Sequence, residues 1–209
     1  MRNILISLCL LLTAALAHAG AYEDILIAAN KDDTATVMNL VQRGMDVNST
    51  DPSGTTLLMI AARNGNVPLL KSLLANRANV NRRNQHGDTA LLLASLKPSL
   101  DAAKLLLENG ADPNPPGWAP LHYSMISGSK EIAALLIAKG ASVDARAPNG
   151  QTSLMLAVKQ GKIELVQLLV EAKANKDLKD ADGVTALGHA RKMDHSDTIK
   201  YLQKVGAAG

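Results

Sequence analysis

Chemistry at a protein site needs a nucleophile beside a base, a metal-ligating set or an anion cradle, and few residues of this chain invite any of these. It carries five histidines and one cysteine in 209 residues. His189 and His195 stand six apart, whereas two ligands on one helix face need a spacing of three or four. His86 lies in a turn-forming stretch, a solvated position. Asp180-Ala181-Asp182-Gly183 has the look of a calcium loop. With Gly183 at the sixth position, however, the first ligand falls on Leu178 and the closing glutamate on His189. The stretch reads instead as a hairpin turn, like Asp51-Pro52-Ser53-Gly54 earlier. No Gly-Lys-Ser/Thr phosphate cradle and no Gly-x-Ser-x-Gly nucleophile elbow occurs. The sequence offers no catalytic residue, no metal site and no cofactor site, and the chain is expected not to be an enzyme.

The first nineteen residues have a different character. Met1-Arg2-Asn3 is a short basic lead, Ile4 to Leu16 is a nearly unbroken apolar run, and Ala17-His18-Ala19 is a small-x-small site. That tripartite order predicts a secretory leader, residues 1–19, cleaved after Ala19; it is too short for a membrane-spanning helix. Cys9 sits inside the apolar run behind Ile6-Ser7-Leu8, which does not fit a lipoprotein site, so the cleaved chain would hold no cysteine and rest on packing alone. Removing Arg2 leaves 21 basic against 19 acidic residues, a net charge of +2. So small an excess argues against nucleic acid as partner. No second long apolar run follows, so no membrane insertion is expected once the leader is gone. The leader is bacterial in character, which sets aside Asn48-Ser49-Thr50 as a glycosylation acceptor.

The elements that would position any site come from repetition. Thr56-Leu57-Leu58-Met59, Thr89-Ala90-Leu91-Leu92, Ala119-Pro120-Leu121-His122, Thr152-Ser153-Leu154-Met155 and Thr185-Ala186-Leu187-Gly188 recur at steps of 33, 30, 33 and 33 residues. Gly110-Ala111-Asp112-Pro113-Asn114 returns as Gly140-Ala141-Ser142-Val143-Asp144 and, degraded, as Arg77-Ala78-Asn79-Val80-Asn81. A fixed step stacks one small unit on the next. Together these motifs resemble the ankyrin repeat over nearly the whole chain beyond the leader. The resemblance implies an all-α solenoid of about six helix-turn-helix units joined by β-hairpin loops, with atypical first and last repeats. One domain, 20–209, divides at approximately 22–50, 51–83, 84–114, 115–146, 147–179 and 180–209. Thr hydroxyls cap the first helix of four units, and Pro120 takes the first helical position in a fifth. Gly65, Gly128 and Gly161 end inner helices, and Pro98 takes over that stop after Lys97. His122 holds the histidine position of the motif, which in ankyrin repeats makes structural hydrogen bonds.

The resemblance also implies binding of another protein, through hairpin tips and the concave side of the inner helices. The exposed positions would be the two before each hairpin glycine, the one after it, and the two following the small pair. Thr55, Pro115, Trp118 and Gln151 fall among them. The candidates for contact are Arg63, Leu96, Lys97, Trp118, Ile126, Lys159 and Gln160, with Leu96, Trp118 and Ile126 as an apolar centre inside a polar rim. Trp118 has a second reading: it folds down over the edge bared by the 30-residue step, where the hairpin is clipped. Arg77, Arg82 and Arg83, with Arg63 and Lys71, would form a basic face that is solvated or steers an acidic partner. A monomer acting in the periplasm is expected, with full secretion as the alternative.

Overall fold

A computed structural model of the protein describes residues 20 and 22–208. The leader and its cleavage point, with Cys9 and His18, lie outside them. Among the described residues the chain forms twelve helices, in six antiparallel pairs, and no strand. Helix α1 (22–30) and α2 (Thr34–Gln42) make the first pair, and α3 (Leu57–Asn64) and α4 (Val67–Ala75) the second. Then come α5 (Ala90–Leu96) with α6 (Leu100–Glu108), and α7 (Pro120–Ser127) with α8 (Lys130–Ala138). The last two pairs are α9 (Ser153–Lys159) with α10 (Ile163–Glu171), and α11 (Ala186–Lys192) with α12 (Ser196–Lys204).

Each inner helix starts where its sequence supplies a cap. Thr56, Thr89, Thr152 and Thr185 accept the N–H of the residue three places on, at 3.1–3.4 Å. Met59 and Met155 answer with sulfur, taking the N–H of Thr56 and Thr152 at 3.4 Å. In α7 that return bond is made by His122, whose Nδ1 accepts from the Ala119 N–H at 3.0 Å. The central inner helices α3, α5 and α9 each bury six consecutive residues, Leu57 to Ala62 in the first, because each lies between two inner neighbours and its own outer helix. Outer helices bury a single stripe, such as Leu69, Leu70, Leu73 and Ile132, Ala133, Leu136. Ala61, Ala94 and Ala157 are fully buried where the inner helices approach one another.

The hairpins are not ladders. Only isolated bridges form, Thr50 with Thr56 and Arg146 with Thr152. What folds the tips is an Asx turn: Asp51, Asn84, Asn149 and Asp180 each accept backbone N–H groups from residues two to four on. A second side-chain ladder joins the repeats. Asn48, Asn81, Asn114, Asp144 and Asp177 accept the N–H of Asn79, Asp112, Ser142, Asn175 and Ala208 at 2.7–2.8 Å. The terminal Asn/Asp of each repeat motif is thus the rung to the next unit.

Outer helices end with a left-handed residue, and Gly44, Gly110, Gly140 and Gly206 provide it in four units. Arg77 and Lys173 adopt the same conformation, each at φ 64°. A side chain there is strained by its Cβ, so Arg77→Gly and Lys173→Gly are each expected to raise the unfolding free energy by about 0.5–1 kcal/mol, net of glycine's chain entropy. Urea unfolding of the single variants checks this.

Candidate protein-binding face

The eighth residue of each inner segment, counted from its cap, faces the concave side near the inner-helix C-terminus. In order these are Arg63, Leu96, Ile126, Lys159 and Lys192. Leu96 is 37% exposed and Ile126 36%, so two apolar side chains meet water at neighbouring positions between cations. Lys97 and Gln160, next along the chain, are exposed beside them, and Arg63 and Lys159 are half-buried. Asn30 orients Arg63 by accepting from its Nη2 at 2.9 Å. Arg63, Asn64, Leu96 and Lys97 line a groove of about 680 Å³ with Asn30 and Asp32 of the first repeat. Asp32 does not stand free in it, since the Asn64 and Asn66 amides donate to its carboxylate at 2.9 and 3.3 Å.

Six of the seven candidates therefore lie along one row of inner-helix ends; Trp118 does not. It precedes α7, while Ile126 is near that helix's C-terminus, about 9 Å of helical rise beyond Pro120. The single apolar centre of Leu96, Trp118 and Ile126 expected from sequence is not what the fold builds. The Trp118 ring is half-buried and stands edge-on to His122 and to Tyr123, with centroids 5.7 Å apart in both pairs. Burial and the nearby Asp88 carboxylate push the Tyr123 phenol up. Trp118→Ala is expected to cost about 1–3 kcal/mol of stability through lost area and ring contacts. Calorimetry reads that loss, and a tenfold weaker partner affinity in the same variant would mark the outer ring edge as a contact as well.

Three other positions expected at the surface are buried: Thr55, Pro115 and Gln151. The Asx turns curl them inward. Asp51 takes the Thr55 N–H at 2.8 Å, Asn149 takes the Gln151 N–H at 3.1 Å, and Pro115 fills the clipped hairpin. The basic face is also divided. Arg83 donates to the Gly87 and Pro116 carbonyls at 3.0 and 2.9 Å and so straps the third hairpin to the clipped fourth. Arg146 repeats the device on the Gly150 and Lys179 carbonyls. Arg77 closes α4, and Arg63 belongs to the concave row.

Three of the described histidines hold structure. His122 is fully buried; its Nε2 donates at 3.0 Å to the carbonyl of Ala145, at the end of the same repeat, with Nδ1 accepting as above. Burial pushes its imidazole down, and the bond to Ala145 only partly opposes this. His195 donates to the Val158 carbonyl at 2.9 Å. His189 pairs with the Asp180 carboxylate at 2.7 Å, both buried, a contact the sequence reading missed. Its one signal is that Asp180 and His189 lie nine residues apart across a hairpin. Among the described residues, no group of three or more His, Cys, Asp or Glu side chains could hold a metal ion. No helix among them is long and apolar enough to cross a membrane.

Stacked capped helix pairs, tied by side-chain rungs and open along one concave row, define a repeat scaffold, a class of protein that presents an extended surface to a partner. A family model of three consecutive ankyrin repeats matches residues 25–116 and again 121–208, and the chain belongs to the ankyrin-repeat family. Ankyrin repeats are generally protein–protein interaction scaffolds and are typically not enzymes. No curated protein matches this chain.

Proposed function

We propose that this protein is an exported, non-enzymatic binding scaffold of the bacterial cell envelope that holds or inhibits one periplasmic protein through its concave face. The carrying observation is the exposed pair Leu96 and Ile126 set between Arg63 and Lys159, at positions the repeat does not use for its own core. An apolar centre within a polar rim is the anatomy of a protein contact. The basic, apolar, small-residue order of residues 1–19 supports export.

Capture from envelope extract is the test, with the wild type beside a Leu96→Asp/Ile126→Asp variant. Both substituted side chains are exposed, so circular dichroism should show an unchanged fold. A protein retained by the wild type and lost from the variant is the expected partner. Equal retention of everything by both would remove the concave row from the binding site. Fractionation checks the compartment, and recovery from the medium or from host cells would favour a secreted effector instead.

A further inference from the structure

The charges of the concave row are unbalanced. In the four central repeats its chain segments read Arg63-Asn64-Gly65-Asn66, Leu96-Lys97-Pro98-Ser99, Ile126-Ser127-Gly128-Ser129 and Lys159-Gln160-Gly161-Lys162. They hold four cations and no carboxylate. Among the described residues no carboxylate lies within 4 Å of the charged ends of Arg63, Lys97, Lys159 or Lys162. Lys162 makes no side-chain cap for α10, and its chain lies across Gly128, directly beside the Ile126 turn. Acidic residues of the row appear in its two end segments, Asp32 and Asp33 beside Lys31 in the first repeat and Asp194 beside Lys192 in the last. The row is therefore cationic over its four central repeats, apolar at its centre and of mixed charge at both ends.

From this, and resting on the reading that this face binds protein, we propose the partner's chemistry: an acidic amphipathic α-helix lying along the solenoid. Inner helices α3, α5, α7 and α9 pack in succession, and packed helices stand about 8–10 Å apart. Seven residues of α-helix rise about 10.5 Å and return to nearly the same face. A helix with Glu/Asp, Leu, Leu and Glu/Asp at heptad spacing thus meets Arg63, Leu96, Ile126 and Lys159 in register. A β-strand repeats its face every 6.6 Å or so and falls out of step. A polyproline helix matches the step, but only an α-helix, roughly 10 Å wide, also covers the neighbouring Lys97 and Lys162.

The test uses the full chain and a labelled Ala/Gln-based helical peptide of about 22 residues carrying Glu, Leu, Leu, Glu one heptad apart. Binding is read by fluorescence anisotropy at two salt concentrations. The peptide should bind, more weakly at high salt, and replacing its two Glu by Lys should cost at least tenfold. Lys97→Glu/Lys159→Glu should lose the Glu peptide by at least tenfold and gain the Lys peptide. A silent Glu peptide, indifference to its charge, preference for a Pro-rich peptide of the same charges, or tighter binding of an oligonucleotide overturns the proposal. If natural capture is still lost in Leu96→Asp/Ile126→Asp while these peptides fail, the concave site stands and only the partner's chemistry is wrong.

Discussion

His122→Ala is expected to lower the unfolding free energy by about 3–5 kcal/mol, a cost built from a buried cavity and two orphaned backbone groups. The ring is fully buried and carries two bonds in one tautomer: Nδ1 accepts from Ala119 N–H and Nε2 donates to the Ala145 carbonyl. The first is the return bond that Met59 and Met155 make with sulfur in the second and fifth repeats, and it stands alone here because Ala119 has no side-chain cap of its own. The second holds α7 to the backbone just before the fifth hairpin, where the hairpin row is broken. Tips pair by backbone between the second and third repeats, Gln85 to Ser53, and between the fifth and sixth, Ala181 to Asn149. The clipped fourth hairpin has only the Arg83 strap on one side and His122 on the other. His122→Met should recover about half the loss, because Met59 and Met155 show that sulfur can take this N–H, whereas a thioether has no proton to give the Ala145 carbonyl. Urea unfolding of the three chains gives both numbers, and full recovery in the methionine variant would show that the Ala145 bond contributes nothing. The same geometry sets a pH response. A folded imidazole held below its ordinary value of 6.5 stays neutral while the unfolded one takes up protons. The stability it contributes is complete above about pH 6.5 and falls as the pH drops from there toward the lowered folded value. His122→Met should flatten that slope.

Local rules made most of the fold legible. Thr56, Thr89, Thr152 and Thr185 cap helices because a hydroxyl before an apolar run has few other uses. Gly65, Gly128 and Gly161 stop the inner helices at positive φ, and Lys97-Pro98 stops one by forcing an extended residue before proline. What escaped the sequence depends on partners about one repeat away. The Arg83 and Arg146 straps end on backbone carbonyls 33 residues on, and a carbonyl leaves no trace in the sequence. Thr55 and Gln151 seemed exposed because hairpin tips usually are, yet Asp51 and Asn149 pull them under. By sequence Trp118 groups with Leu96 and Ile126, because all three share the variable positions of the repeat. Those positions occupy opposite ends of a helix, and only the row of helix ends gathers Arg63, Leu96, Lys97, Ile126, Lys159 and Gln160.

Asp180→Ala is the second large expectation: a loss of about 2–4 kcal/mol, the cost of removing an acceptor shared by two backbone N–H groups and the buried His189 ring. One oxygen of this carboxylate folds the last hairpin by accepting the Asp182 and Val184 N–H groups at 3.1 and 2.9 Å, and the other meets His189 at 2.7 Å. Desolvation pushes the carboxyl up, but those N–H donors and His189 together outweigh it and hold the group below its ordinary value of 3.8. Its contribution is therefore present above about pH 3.8 and is lost as the pH falls through the lower folded value. Asp51 makes the control, since it folds its hairpin by the same Asx turn without a histidine partner, so Asp51→Ala should cost only about 1–2 kcal/mol. Asp180→Asn keeps the turn and removes the charge, and its cost should fall between the two. Location separates this effect from a general weakening. Repeats in a solenoid touch only their neighbours, so loosening the sixth should open α11 and α12 while α3 to α8 stay protected. Hydrogen exchange resolved along the chain reads this directly, and uniform loss of protection across all repeats would show that the terminal unit folds with the rest as one block. A frayed sixth repeat leaves Arg63 to Lys159 in place. Asp180→Ala should then bind the acidic helix as the wild type does, which separates stability at the end of the solenoid from recognition at its centre.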